Sequence, residues 1–563
     1  MKWPKEKVFV SLAIIFTTLS LSLTPIVDKI QLENIKLYPF FYAMTLPPIY
    51  YIAIMYSAIL ALLCRKDYCK LFSVLCVAFL VEVTPSLMLV NPWVLDQYPY
   101  LAEPAWLVKN AYIAPIHYLA EVPGLGLMFS QLMLATGLDP FMLSKVFSLI
   151  STIIIVLLAF LLSKGLCENG ALIPLLFLSV NSDQINTFHR SSYFFILFLM
   201  IVLSLWNKTA KKTMSYSIVV TFFAAVFTYP GSLIIPLVIL VLPILLKFIH
   251  SMQNVMHMKQ VEKAEEPNAQ DNFSFLYVLG VSFICMFLAW YMYVLEGDLA
   301  SIVRDVSKAL TELTDPFVLL TPHSTFGYVP TAPLFTNILR ARMLLTLIML
   351  SLGLLDPIYI IFRKRPESLM STMYLSLLVV LSPFIFTNLN QWFVEHFDKF
   401  VLFLAATSIA NLWRLKQNTY TKAVAVALII IGIVFVPINR YTSIPYLHPT
   451  TQELKVSYFI HCYYVEGGYV YYTEYPPLTL IQILINKNPR WELSFMEPEE
   501  WLEGKVTKSA GYVLSYRMLA RDAYYLYPVS RQNLLTILVN TLKESHNLIY
   551  CNDYYIKIFI PLS

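Results

Sequence analysis

Apolar residues in this chain come in long runs broken by short polar stretches. A run of about 20 residues is what a helix needs to cross the hydrocarbon core of a bilayer. Such runs fall at roughly 8–26, 43–63, 70–90, 145–163, 170–182, 192–206, 215–228, 232–247, 273–295, 343–362, 370–386, 399–412 and 422–438. The pattern predicts a polytopic α-helical membrane protein of about thirteen transmembrane helices, the fifth to seventh being short for a full crossing. The first run follows MKWPKEK, the shape of a signal-peptide start. Val8 to Ile26 is long for such a segment, however, and no small-residue cleavage pattern follows, so it reads as a retained helix.

Composition agrees. Hydrophobic residues make up 58% of the 563 and charged residues 13%, against about 25% charged in soluble domains. Mean hydropathy is +0.64. No water-soluble fold of this size hides so much apolar surface, so the bilayer is the solvent for most of it.

The net charge of +5 gains meaning once the charges are placed. With the N-terminus in the cytoplasm and the spans alternating, each inside segment but one carries three Lys or Arg: Lys2, Lys5 and Lys7; Arg65, Lys66 and Lys70; Lys208, Lys211 and Lys212; Lys247, Lys259 and Lys263; Arg363, Lys364 and Arg365; Arg414, Lys416 and Lys422. The exception holds Lys164 alone. Cytoplasmic loops carry this excess. The localisation that follows is a multi-pass cell-membrane protein whose C-terminal tail, 440–563, lies outside the cytoplasm. The outside segments include two long loops, 91–144 and 296–342, and hold most of the loop acids. Long loops in compact proteins are usually functional or disordered, and 91–144 is too aromatic and apolar for disorder.

The tail has another texture. Gly468 to Tyr472, Gly511 to Tyr516 and Asn547 to Ile560 read as strands, the last with a tight turn at Asn552-Asp553. Leu478 to Ile485 and Arg531 to Glu544 read as helices. The expected organisation is a transmembrane domain, 1–439, and a small extracytoplasmic C-terminal α/β domain, 440–563. Cys462 and Cys551 both fall in this tail, where they form either a disulfide or two buried thiols.

The first long loop begins NPWVLDQYPY and continues LAEPAWLVKNAYIAPIHYLAEVPGLG. Apolar and polar residues mix at helical spacing from Ala102 to Ala111, with Glu103 and Lys109 on polar positions, as in a helix lying along the interface. Gly124 to Thr136 suits a second one. Asp96 just past the span, then Tyr98, the Leu101–Asn110 helix with its polar end, and Pro123-Gly124 entering another helix are in the order of the C-type glycosyltransferases, the polytopic enzymes that use polyprenyl-phosphate sugars. Leu143-Ser144-Lys145, the stretch NSDQINTFHRSSY from Asn181 to Tyr193, Thr228-Tyr229-Pro230 and the outside tail extend the resemblance. It covers the architecture of most of the chain, and 91–240 best. Asp96-Gln97-Tyr98 is not a double-acid motif, and the loop follows the third span where many members have it after the first. No two Trp are adjacent, which argues against the oligosaccharyltransferase branch.

The resemblance implies sugar transfer from a polyprenyl-phosphate donor to an extracytoplasmic glycan, lipid or protein, with membrane lipids as further partners and no nucleic acid. The chemistry fits on its own terms. A hydroxyl acceptor is a weak nucleophile that a carboxylate activates as general base, and Asp96 is the candidate; its bland alternative is a helix cap. The phosphate leaving group asks for cations or hydrogen-bond donors. His189, Arg190, Lys145, Arg340, Arg342, His396 and Lys399 lie at outer span ends and are candidates, with Tyr98 and Glu103 beside them. Each basic residue has the alternative of meeting lipid headgroups. Glu395, His396 and Asp398 in VEHFDK form a candidate divalent-cation site with Asp96, although no spacing rule supports one. Glu82 lies inside the third span, where a carboxylate is costly and often functional. It is either protonated or paired with a residue such as Lys145. Asp356, beside Pro357, reads as bordering a kink, and His323 as a surface residue of the second loop. The competing functions are a transporter or lipid-linked-glycan flippase, and a surface scaffold.

Overall fold

The computed structural model describes residues 5–26, 43, 45–89, 97–111, 123–167, 169–181, 189–206, 211–256, 269–294, 307, 333–363, 369–385, 397–413, 419–447, 469–472, 492–495, 511–515, 546–552 and 556–561. Among the described residues, each of the predicted apolar runs is helical over most of its length. The helices are α1 (Lys5–Leu23), α2 (Pro48–Leu63), α3 (Asp67–Met88), α4 (Gln97–Asn110), α5 (Gly124–Thr136), α6 (Pro140–Cys167), α7 (Leu172–Val180), α8 (Arg190–Trp206), α9 (Lys211–Thr228), α10 (Ile234–Met256), α11 (Ala269–Val294), α12 (Pro333–Arg363), α13 (Leu369–Ile385), α14 (Asp398–Trp413) and α15 (Thr419–Leu447). Among the described residues, 6 helices are long and apolar enough to cross a membrane. α4 and α5 are the two helices expected in the first long loop.

A helix that is apolar all round has no water-facing side and packs in the interior. α7 is such a helix, buried at every position, and α14 is buried at all but two of its residues. Together with α8 they form the centre of the bundle. Aromatic rings bind the three together. Phe177 of α7 stacks on Phe195 of α8 at 5.3 Å. Phe195 and Phe198 meet Phe403 and Phe400 of α14 edge-on at 5.9 and 4.9 Å. The perimeter is apolar too: Ile15, Leu63, Val220, Leu344 and Ile431 are among its exposed side chains. Soluble monomers do not expose apolar surface on that scale.

Small residues set the closest approaches, as is usual between membrane helices. A side chain at Gly432 of α15 would run into the backbone carbonyl of Ser179 on α7. Gly353 of α12 lies against Ala405 of α14 and Tyr374 of α13 in the same way. One turn on, Asp356 accepts hydrogen bonds from Ser371 of α13 and from Asn411 of α14 at 2.7 Å. Asp356, beside Pro357 inside α12, is therefore an interior clamp joining three helices.

α3 contains a π-helical turn, Phe79–Val83. The Thr84 N–H reaches back to the Phe79 carbonyl, and Pro85 has no N–H to give. The Leu80 carbonyl thus loses its helical donors and accepts the Tyr50 hydroxyl from α2 instead. Such single π turns are frequent at functional sites. Glu82 sits on this turn, fully buried, and lines a small cavity with Thr152 and Ile155 of α6 and Pro174 and Phe177 of α7. It forms no ion pair with Lys145, which is half-buried elsewhere on α6; that expected pairing is not made.

Five strands follow α15: β1 (Tyr469–Tyr472), β2 (Glu492–Phe495), β3 (Gly511–Ser515), β4 (His546–Asn552) and β5 (Ile556–Pro561). They make one mixed sheet in the order β2-β1-β3-β5-β4. β1 is parallel to both β2 and β3, while β5 runs antiparallel to β3 and β4. β4 and β5 are the arms of the expected hairpin, with Asn552 opposite Ile556. β2 was not legible in the sequence. The tail helices expected at 478–485 and 531–544, and Cys462, lie outside the described residues.

Candidate functional site

The site grows out of how α4 packs. Tyr100, Leu101, Ala102 and Ala105 form a small core with Leu125 and Phe129 of α5 and Leu143 and Phe147 of α6. Glu103 lies on the buried side of that contact. Its carboxyl occupies the space a side chain at Gly126 would need, and the residue is 1% exposed. This corrects the expectation of a water-facing Glu103. Lys109, six positions on, is exposed; six residues is well short of two full turns, so the two do not share a face. Burial pushes the Glu103 carboxyl up to about 8, against the opposing pull of the Arg190 charge. Its Oε1 has no hydrogen-bond partner among the described residues.

Arg190 opens α8. Its guanidinium stands 5.1 Å over the Tyr100 ring, and the His189 ring meets the same tyrosine edge-on at 4.5 Å. His189 caps α8: its Nδ1 accepts the Ser191 N–H at 3.0 Å. The Ser191 hydroxyl lies 2.7 Å from the same nitrogen and accepts from the Lys399 ammonium at 2.9 Å. Since Lys399 can only donate, the serine proton is free to point at Nδ1. That fixes His189, when neutral, as the tautomer with its proton on Nε2.

Lys399 begins α14 and is 3% exposed. Its backbone N–H donates to the Asp398 carboxylate at 2.5 Å, whose other oxygen lies 3.5 Å from Arg342 of α12. A connected polar strip therefore runs from Tyr100 and Glu103 through Arg190, His189, Ser191 and Lys399 to Asp398 and Arg342. It carries three fixed cations against the single carboxylate of Asp398, with Glu103 largely neutral at pH 7. The N-termini of α8 and α14, which carry the positive ends of the helix dipoles, both lie in it. An anion is the ligand such a strip suits.

The structure thus brings together Glu103, His189, Arg190, Lys399 and Arg342 of the residues singled out in the sequence. It leaves out two: Lys145 and the exposed Arg340 make no hydrogen bond or ion pair with the strip among the described residues. Asp96, His396, Glu395, His323 and the Tyr98 side chain lie outside the described residues. Among the described residues no three metal-ligating side chains converge. Sequence reasoning missed Ser191, Tyr100 and Gly126. The run His189-Arg190-Ser191-Ser192 at a span start was the available signal for the first.

No family model matches the chain, and no curated protein matches it. Among solved structures, it is similar to the crystal structure of ArnT from Cupriavidus metallidurans in the apo state, at 12% identity and a TM-score of 0.43, over 88% of this chain and 96% of that one. It is also similar to the same protein bound to undecaprenyl phosphate, at 11% identity and a TM-score of 0.42, over 88% of this chain and 97% of that one.

Proposed function

We propose that the chain is a membrane glycosyltransferase that takes a sugar from a polyprenyl-phosphate donor and passes it to an acceptor outside the cytoplasm. The observation that carries this is the connected cationic strip, Arg190 to Ser191 to Lys399, at the end of the bundle where α4 and α5 lie. The charge asymmetry of the loops assigns that end to the outside. A lipid-linked phosphate enters sideways between helices, and its headgroup comes to rest where buried cations are held. The motif order of residues 91–240 supports the same class. In this reading about thirteen helices span the membrane and 440–563 is an extracytoplasmic α/β domain.

The reaction is a single displacement. The acceptor hydroxyl oxygen forms a bond to the anomeric carbon while the bond from that carbon to the phosphate oxygen breaks. The electron pair leaves with the polyprenyl phosphate, and the hydroxyl proton goes to Asp96. The anomeric centre inverts. Arg190 and Lys399 hold the phosphate as charge accumulates on it, and His189 offers its Nε2–H to a phosphate oxygen.

Glu82 keeps a second reading open. A buried carboxylate on a π turn within the span is what a transporter would place on an ion pathway. The test is purified full-length protein assayed with polyprenyl-phosphate sugars, wild type against Asp96→Asn. Loss of a general base costs about 10²–10⁴ in rate, with donor binding kept. Undiminished transfer by Asp96→Asn overturns the base assignment. Solute flux in liposomes without any sugar transfer favours the transporter.

A further inference from the structure

Within the proposed function, one group of the strip has no assigned chemistry. Glu103 sits beside Arg190 yet forms no ion pair among the described residues. Its carboxyl is seated on Gly126, where a larger residue would expel it. It is sealed from water, and Oε1 is left without a partner. A buried polar atom with no partner costs about 1–3 kcal/mol, so its persistence points to a ligand that supplies one.

We propose that Glu103 acts as a neutral carboxylic acid that donates a hydrogen bond to a phosphate oxygen of the lipid donor, beside Arg190. An ionised Glu103 would repel that phosphate and cancel Arg190; a neutral one adds a donor and leaves the cations intact. The surroundings fit. α5 contributes no titratable side chain. α6 contributes Lys145, and α8 contributes Arg190 and Tyr193 with His189 at its cap. α4 itself adds Tyr100, one turn before Glu103, and the exposed Lys109. Lys399 lies further along the strip, bonded to Ser191. Of these, the Arg190 charge favours the ionised form, yet burial outweighs it and holds the proton up to about pH 8. Glu103 is then a substrate-binding residue whose protonation gates affinity.

The experiment uses the full chain in lipid nanodiscs. The probe is a methyl polyprenyl phosphodiester, which keeps one charge across the range and has no sugar to transfer. Binding is measured from pH 6.5 to 9.5. Apparent affinity scales with the fraction of protein in the binding-competent form, so the wild type weakens about tenfold between pH 7 and pH 9. Glu103→Gln keeps a donor and loses the pH step; Glu103→Ala is weaker at every pH and also flat. In parallel, the carboxylic C=O band in the infrared difference spectrum between wild type and Glu103→Gln reports the neutral acid directly, with no ligand present. A wild type whose affinity is flat overturns the proposal, as does a Glu103→Gln variant that keeps the step. If the wild type transfers sugar and binds the diester but either result appears, only the role of Glu103 falls. If it neither binds nor transfers, the function falls with it.

Discussion

Replacing Lys399 with methionine separates a binding role from a structural one. Lys399 is 3% exposed, and its ammonium is bonded to the Ser191 hydroxyl at 2.9 Å. A phosphate about 4 Å from such a charge gains about 4 kcal/mol at an effective dielectric of about 20. That is nearly three powers of ten in affinity. Methionine keeps an unbranched apolar stem, one atom shorter, and removes the charge together with its N–H donors. Holding an ion inside the fold costs several kcal/mol of desolvation, which the apolar side chain removes, and Asp398 keeps its backbone donor and Arg342. The expected variant is therefore as heat-stable as the wild type, or more so, yet binds a polyprenyl phosphodiester about 10²–10³ times more weakly. Because the site is buried, added salt should do little to close the gap. The assay is a donor titration beside a melting curve, both in the same detergent. A variant that binds within threefold of wild type refutes the placement of the phosphate. One that loses binding only in step with melting refutes the direct contact.

Two further predictions concern the scaffold. Gly432→Ala drives a methyl into the Ser179 carbonyl, which belongs to backbone and cannot rotate away; the α7–α15 contact should open at a cost of about 1–3 kcal/mol, read as a lower melting temperature. Tyr50→Phe strands the Leu80 carbonyl on the π turn, at a similar cost of about 1–3 kcal/mol, and should increase hydrogen exchange at α3 while leaving α4 and α5 unchanged.

What the sequence made legible follows from how much of it each feature engages. A membrane helix is written in about 20 residues, so single exceptions do not hide it, and each run proved helical. The π turn in α3 inserts one residue into an apolar run and changes no pattern; only Pro85 hinted at it. β2 is the four residues ELSF, too short a run to stand out even with Asn488-Pro489 before it and Pro498 after it. Ser191 reads in sequence as an ordinary hydroxyl in a first helical turn. Its importance comes from Lys399, which is 208 positions away and adjacent only in the fold. The burial of Glu103 was hidden for the same reason: a polar residue on a mixed helix looks solvent-facing until Gly126, on another helix, is seen to make room for it.

The same physics sorts the candidate cations. A basic residue at a span end ordinarily extends along its own stem until its charge reaches lipid headgroups and water. Arg340, exposed at the start of α12's apolar stretch, is free to do that. Lys399 is not. α14 is wrapped by neighbouring helices along nearly its whole length, its first turns are pinned to α8 by Phe400 against Phe194, Phe195 and Phe198, and the charge is left inside. Arg190 starts α8, the helix on the other side of the same ring cluster, and is held over Tyr100. Interior helices with charged first turns thus set cations where headgroups cannot neutralise them, which keeps them available to a phosphate delivered from the bilayer. By this criterion Arg190 and Lys399 are the cations suited to the proposed phosphate site, and Arg340 is suited to the membrane surface. Neutralising Arg340 should accordingly leave donor affinity within about fivefold of wild type, since exposed charges contribute about 0–1 kcal/mol.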